Sequence, residues 1–310
     1  MLKFIFQRVL SMILVVLIVA TATFFMMRLL PSGPFSREKK LPQQIIDNLN
    51  ARYHLDDPLW KQYIDYMGNL ARGDLGPSFK YTNRTVNNII DDGFPVSAIL
   101  GAVAVFLSVA IGIPLGIWGA LRQNGWQDNV VMFIALLGVS VPNFIMAVLL
   151  MLFFGLWLHV LPVAGWGSVS QIILPAFTLA GYPIAFIARL VRSSMIEVLR
   201  QEYITTARAK GISERLVIFR HALRNILIPV VTVLGPLIAA VFTGSFVVEK
   251  IFAIPGLGRY YVTSINDRDY TTILGVTIFY SALLVFMNFL VDLTYAWLDP
   301  RIRYVERKVS

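Results

Sequence analysis

Apolar residues recur along this chain in long runs almost free of charge, and polar stretches of unequal length separate them. The runs cover about 9–30, 97–121, 129–158, 171–190, 226–248 and 272–298. A circumference that is apolar for about twenty residues matches a bilayer core of about 30 Å, so each run predicts a membrane-crossing helix. Pro142 interrupts the third run and is expected to kink that helix or end it early. Gly and Pro recur inside the runs, at Gly112, Pro114 and Gly116, Gly138 and Pro142, Gly181 and Pro183, and Gly235 and Pro236. Such residues let helices approach closely, or unwind where protein rather than lipid surrounds the backbone. At the start, Lys3, Arg8 and Ala20-Thr21-Ala22 have the look of a cleavable secretory signal. The apolar run nevertheless continues through Phe24, Phe25, Met26 and Met27 to Leu30, so it reads as a retained first helix.

The polar stretches set the orientation. Between Arg189 and Arg224 eight Lys/Arg stand against three Glu, an excess that marks the cytoplasmic side. Residues 31–95 carry eight basic and eight acidic residues and six prolines. A segment this long crosses regardless of charge and is placed outside. Helical spacing over Leu41–Tyr53 and Pro58–Leu70 predicts short helices in it. Trp157 and Trp166 flank an outside turn as interface anchors, and six crossings leave both termini in the cytoplasm. The expected fold is an all-α integral membrane protein of six transmembrane helices. Its divisions are 1–30 (tail and first helix), 31–95 (a small helical extracytoplasmic insert), 96–298 (core, with a cytoplasmic loop at about 190–225) and 299–310 (tail).

Composition agrees: 57% of residues are hydrophobic and 15% charged. The net charge of +9 clusters beside apolar runs, so orientation explains it without nucleic acid. Absence of cysteine removes disulfides, thiolate metal sites and thiol nucleophiles. His54, His159 and His221 lie far apart and read as structural. Pro255-Gly256-Leu257-Gly258 lacks the Gly-Lys-Ser/Thr ending of a phosphate loop and reads as a turn at the outer surface. Asp292, near the end of the sixth run, is expected to pair or reach water beside Asp299 and Arg301, and Glu249 to be paired or solvated beside Lys250. One intramembrane carboxylate near a helix end is poor material for an ion-coupled transporter, and no intramembrane protease motif is visible.

The stretch from Gln201 to Asn225 can be built as two short helices. Thr205, Thr206, Ala207 and Ala209 would give the first a small-residue face. Gly211 stands where a left-handed C-terminal residue is needed, and Ser213 where a cap for the next helix belongs. Spacing leaves two readings open: docking into a groove on a partner, or contact with anionic lipid.

Residues 202–229 resemble the cytoplasmic loop of the membrane subunits of ATP-binding-cassette importers. The triplet reads Thr205-Thr206-Ala207, Gly211 keeps its place, and Ile226-Leu227-Ile228-Pro229 closes the motif. The replaced first residues and the longer Gly-to-Pro spacing are habits of the peptide and nickel permease branch. Further resemblances to that branch are Arg28-Leu29-Leu30-Pro31, Tyr53-His54-Leu55-Asp56-Asp57-Pro58-Leu59, Gly73-Asp74-Leu75-Gly76 and Val139-Ser140-Val141-Pro142. They continue in Glu249 to Gly258 and Asp299-Pro300-Arg301-Ile302-Arg303. The run Gly76-Pro77-Ser78-Phe79-Lys80-Tyr81 is similar to first membrane subunits of oligopeptide permeases.

The resemblance implies the type I importer fold and a non-catalytic permease of a bacterial inner membrane. It implies a second permease subunit, two cytoplasmic ATPases that bind the ATP and Mg, and an extracytoplasmic peptide-binding receptor. Oligopeptides are the implied cargo, with dipeptides, nickel chelates or glutathione on the same scaffold. Coupling to the ATPases is expected of Glu202, Thr205, Thr206, Ala207, Arg208, Ala209, Lys210, Gly211, Arg220 and Pro229. Receptor or outer-gate contacts are expected of Gly73, Asp74, Gly76, Pro255, Gly256 and Gly258, and the 31–95 insert is expected to seat the receptor or gate the outer mouth.

Overall fold

The computed structural model describes residues 2–29 and 43–298. Every named element among them is helical: α1 Leu2–Arg28, α2 Gln43–Arg52, α3 Leu59–Ala71, α4 Val86–Leu121, α5 Trp126–Ser140, α6 Asn143–Leu150, α7 Val169–Leu199, α8 Glu202–Ala209, α9 Glu214–Leu216, α10 Leu223–Ile251, α11 Leu257–Asp267 and α12 Tyr270–Leu298. A wider π-type turn continues α6 over Met151–Trp157, and another joins α9 to α10 over Val217–Ala222. Among the described residues five helices are long and apolar enough to cross a membrane, and a bent pair, α5 with α6, makes up to six. The Leu30–Pro31 part of the first motif, Leu41–Pro42 at the insert, and the tail from Asp299 lie outside the described residues, as does the side chain of Asp292.

Three helices depart from the sequence pattern for identifiable reasons. The second long helix begins at Val86, well before 97. Thr85 and Asn88 cap it reciprocally: the Asn88 amide donates to Thr85 Oγ1 (3.2 Å) and the Thr85 amide to Asn88 Oδ1 (3.2 Å). The third span ends at Ser140, where Val141 turns extended and the chain bends by 111° before Pro142 caps α6. The run from Pro255 to Gly258 is more buried than a surface turn would be, and only Pro255 in it is exposed. Gly256 caps α11, Gly256, Leu257 and Gly258 are buried, and the Leu257 amide donates to Ser97 Oγ (2.9 Å). A Cβ on Gly93 would lie 2.9 Å from the Leu257 backbone, so these glycines serve packing.

Two compact units can be described separately. The first comprises Met1–Ser97 and Pro255–Phe286. At its centre Asp269, 1% exposed, precedes α12 and collects donors. The Phe79 amide (3.1 Å) and the Thr272 amide (3.2 Å) donate to Oδ1, and Thr272 Oγ1 (2.7 Å) and Ser78 Oγ donate to Oδ2; the Thr271 hydroxyl, 3.0 Å from Oδ1, has its shorter bond to the Pro77 carbonyl (2.6 Å). A buried carboxylate with this many donors is satisfied without a cation. Phe24 packs edge-on to Tyr63 and stacks on Tyr66, and burial pushes the Tyr66 phenol pKa up.

The second unit, Ala98–Ile254 with Met287–Ser310, is organised around α7. Gly112 and Gly116 on α4 make the close approach their spacing suggests: a Cβ on Gly116 would meet the Ala188 carbonyl at 2.5 Å and Val191 Cβ at 2.7 Å. Gly138 on α5 lies as close to Gly181 and Ala185. Near the start of α5 Asp128, 2% exposed, accepts from Arg192 of α7 through Nε and Nη2 on one guanidinium edge, Nη2 to Oδ2 at 2.7 Å, and also accepts from the Asn124 amide (2.9 Å). Gly116→Val is expected to destabilise by about 1–3 kcal/mol through overpacking. Gly181→Ala, with nothing within 4 Å of the added Cβ, is expected to be neutral or slightly stabilising. Thermal unfolding of the two purified variants checks the contrast.

Candidate functional site: the α8 surface

The polar segment between α7 and α10 folds as the short-helix pair that its caps predict. Its first helix, α8, ends in a Schellman arrangement. The Ile212 amide reaches back to the Ala207 carbonyl (3.3 Å) and the Gly211 amide to Arg208 (2.9 Å). Gly211 takes φ +76°, which a residue without Cβ adopts freely and other residues resist. Ser213 occupies the cap position of α9, but its side chain makes no capping bond. The junction is held instead by Arg208, whose Nε and Nη2 donate to Glu214 Oε2 (3.0 Å) and Oε1 (2.6 Å). That hydrogen bond to a carboxylate raises the Arg208 pKa above its ordinary value. Both side chains are exposed, so the pair fixes geometry more than it adds stability.

One side of α8 belongs to the core. Ile204 and Ala207, three residues apart, are buried with Ile187, Val191 and Met195 of α7, Val217, Ile218 and Ala222 of the following turn, and Ile226 and Val230 of α10. Ala207 therefore packs on its own chain and does not join the exposed small-residue face expected of it. Glu202, Thr205, Thr206, Arg208, Ala209, Lys210 and Gly211 are exposed. Thr206 Oγ1 turns back to the Glu202 carbonyl (3.0 Å), and Asn225 Nδ2 donates to Tyr203 Oη (2.5 Å), tying α8 to the first turn of α10. Arg220 is exposed on the π-type turn; Pro229 is half-buried inside α10, away from the exposed strip of α8. The exposed strip is thus a short helix, firmly seated, with hydroxyls and methyls flanked by cations.

The outer candidates separate into two groups. Gly73 and Asp74 are exposed and Gly76 half-buried, in a loop stapled by Asn87, whose Nδ2 donates to the Gly73 carbonyl (2.7 Å) and whose Oδ1 accepts from the Leu75 amide (3.0 Å). Asp74 Oδ1 accepts from the Gly76 amide (2.9 Å). Of the other group only Pro255 is exposed. Asp269, Asn87 and the Asp128–Arg192 pair escaped the sequence reading. Ser78 lies 191 positions from Asp269 and Asp128 lies 64 from Arg192, so those pairings are not local; the one local sign was Asp269 three residues before Thr272, whose amide it caps.

Comparison with known proteins agrees along the chain. The model described as "Binding-protein-dependent transport system inner membrane component" matches residues 112–304, and its N-terminal counterpart matches residues 1–101. The dipeptide transport system permease protein DppB of Bacillus subtilis is 50% identical over 303 residues, 98% of both chains. The oligopeptide transport system permease protein OppB of Escherichia coli K12 is 47% identical over 306 residues, 98% of this chain and 100% of that protein. A solved inward-facing structure of the MetNI methionine ABC transporter superposes with a TM-score of 0.58 at 19% identity, covering 68% of this chain and 96% of that one. The helical fold is shared at that distance, and the multi-span architecture with it. The chain belongs to the binding-protein-dependent transport-system inner membrane components, in the branch typified by OppB and DppB.

Proposed function

We propose that this chain is one of two homologous membrane subunits that together form the translocation pathway of an ATP-driven importer of short peptides. The observation that carries it is likeness over nearly the whole chain, at about half identity, to permeases named for dipeptides and for oligopeptides. The chain crosses a bacterial inner membrane six times with both termini in the cytoplasm, the bent α5–α6 pair counting as one crossing, and residues 31–95 lie outside.

On this reading two cytoplasmic ATPases supply ATP hydrolysis and dock on the exposed strip of α8. ATP binding draws them together, and the motion passes into α7 and α10 through Ile204 and Ala207. A rigid element driven by differential binding is what such coupling needs. An extracytoplasmic receptor delivers the peptide, and Gly73, Asp74 and Pro255 are the exposed candidates for meeting it.

Oligopeptides are the cargo proposed, from the Gly76–Tyr81 run; the 50% identity to a dipeptide permease favours dipeptides as the second reading. Uptake of a labelled tetrapeptide by cells with and without the gene tests this. Loss of uptake on deletion, with uptake by the parent cells blocked only by longer peptides, is the expected result. Unchanged tetrapeptide uptake with lost dipeptide entry moves the cargo to the second reading. No change in either removes peptides altogether.

A further inference from the structure

A helix that breaks within a membrane span leaves backbone groups that lipid cannot satisfy, so a break is tolerated where protein or a polar path covers it. The α5–α6 break is such a place. Trp126 to Ser140 rises about 21 Å, and Leu223 to Leu237 on α10 about 21 Å, while Tyr182 sits about 20 Å from one end of α7 and about 26 Å from the other. On the six-crossing reading proposed above, a break this far along the helix lies inside the hydrocarbon layer. Beside it is a cleft of about 280 Å³, lined among others by Val141, Pro142 and Asn143 at the break, Leu179 and Tyr182 of α7, and Leu237 of α10.

The polar groups around this cleft are of two kinds. At the start of α6 the amides of Ile145 and Met146 both reach the Pro142 carbonyl (3.0 Å each), which leaves those of Asn143 and Phe144 as donors without an intrahelical acceptor. On α7, Pro183 has no N–H to return to the Leu179 carbonyl at the wall of the cleft. Asn143 adds a side chain that both donates and accepts, and Tyr182, 41% exposed, adds a hydroxyl. Leu237, Ala240 and Val241 make the remaining wall apolar.

We infer that this cleft is a way-station of the translocation pathway that binds the backbone of the peptide in transit, with Asn143 and Tyr182 as its side-chain contacts. The inference rests on the peptide-importer reading and deepens it. A peptide bond presents one donor and one acceptor in every residue whatever its side chain. A surface that offers amides, a carbonyl and two amphoteric side chains over an apolar wall suits varied peptides without reading their sequences.

The chain has no cysteine, so single cysteines can be introduced and followed without background from this subunit. The importer, assembled with its second permease, ATPases and receptor in proteoliposomes, is first assayed for tetra-alanine uptake; failure there removes the peptide reading itself, before any variant is made. Asn143→Cys and Tyr182→Cys are then labelled with a charged, membrane-impermeant methanethiosulfonate. Both should react, and tetra-alanine at about tenfold its dissociation constant should slow labelling about tenfold. Gln123→Cys, in the exposed loop between α4 and α5, should label without such protection. Unreactive cysteines at 143 and 182, reactive ones indifferent to peptide, or equal protection at 123 would each overturn the assignment.

Discussion

Arg192→Ala is expected to destabilise the folded chain by about 3–5 kcal/mol, because it strands the Asp128 carboxylate in a site from which water is nearly excluded. Arg192 grips both carboxylate oxygens, and only the Asn124 amide would remain. Arg192→Lys should recover part of the loss, since an ammonium supplies the charge without the fork. Asp128→Asn combined with Arg192→Ala should also be milder than Arg192→Ala alone, because no bare charge is left behind. Unfolding of the purified variants by heat or denaturant measures the series. An Arg192→Ala protein as stable as the parent would show that the pair holds nothing together.

Thr206→Arg is expected to lower peptide uptake at least about tenfold while the chain still inserts and folds, as for loss of one central contact of an interface. Thr206 is exposed on α8 and the change disturbs nothing beneath it. Ala207→Arg should behave differently, because Ala207 is buried among Ile204, Val217 and Met195. A cation forced there costs folding as well as transport. Co-purification of the ATPases separates the two: a folded Thr206→Arg subunit without ATPases, against reduced amounts of Ala207→Arg subunit. Normal uptake by Thr206→Arg would remove this strip of α8 from the docking surface.

The spans were legible because bilayer-length apolar runs are a one-dimensional signal, and Gly211 because a left-handed helix end has a local sequence signature. Pro142 announced a break, but the 111° bend depends on how α6 packs on α7 and could not be read from the proline. Val86 as a helix start was hidden by Asp91, Asp92 and Pro95, which suggest a loop until Thr85 and Asn88 are seen to cap one another. The direction of Ala207 was equally hidden. Four small residues on a short helix give a face, yet which side faces inward is decided by Ile204 and by partners on α7 and α10. Pro255 to Gly258 misled for a related reason: glycines that permit a turn also permit the close approach of Leu257 to Gly93.

The unit that holds Asp269 is assembled from two stretches far apart in sequence, Met1–Ser97 and Pro255–Phe286. Ser78 and Phe79 emerge from the ribosome long before the carboxylate and helix start that they bind, and Leu257 long after the Ser97 hydroxyl that receives its amide. During synthesis the Met1–Ser97 part of this unit must therefore wait, with its loop polar groups on water, until α11 and α12 arrive. A chain cut off before Pro255 would lack both Leu257 and Asp269, and this unit would stay open to proteases.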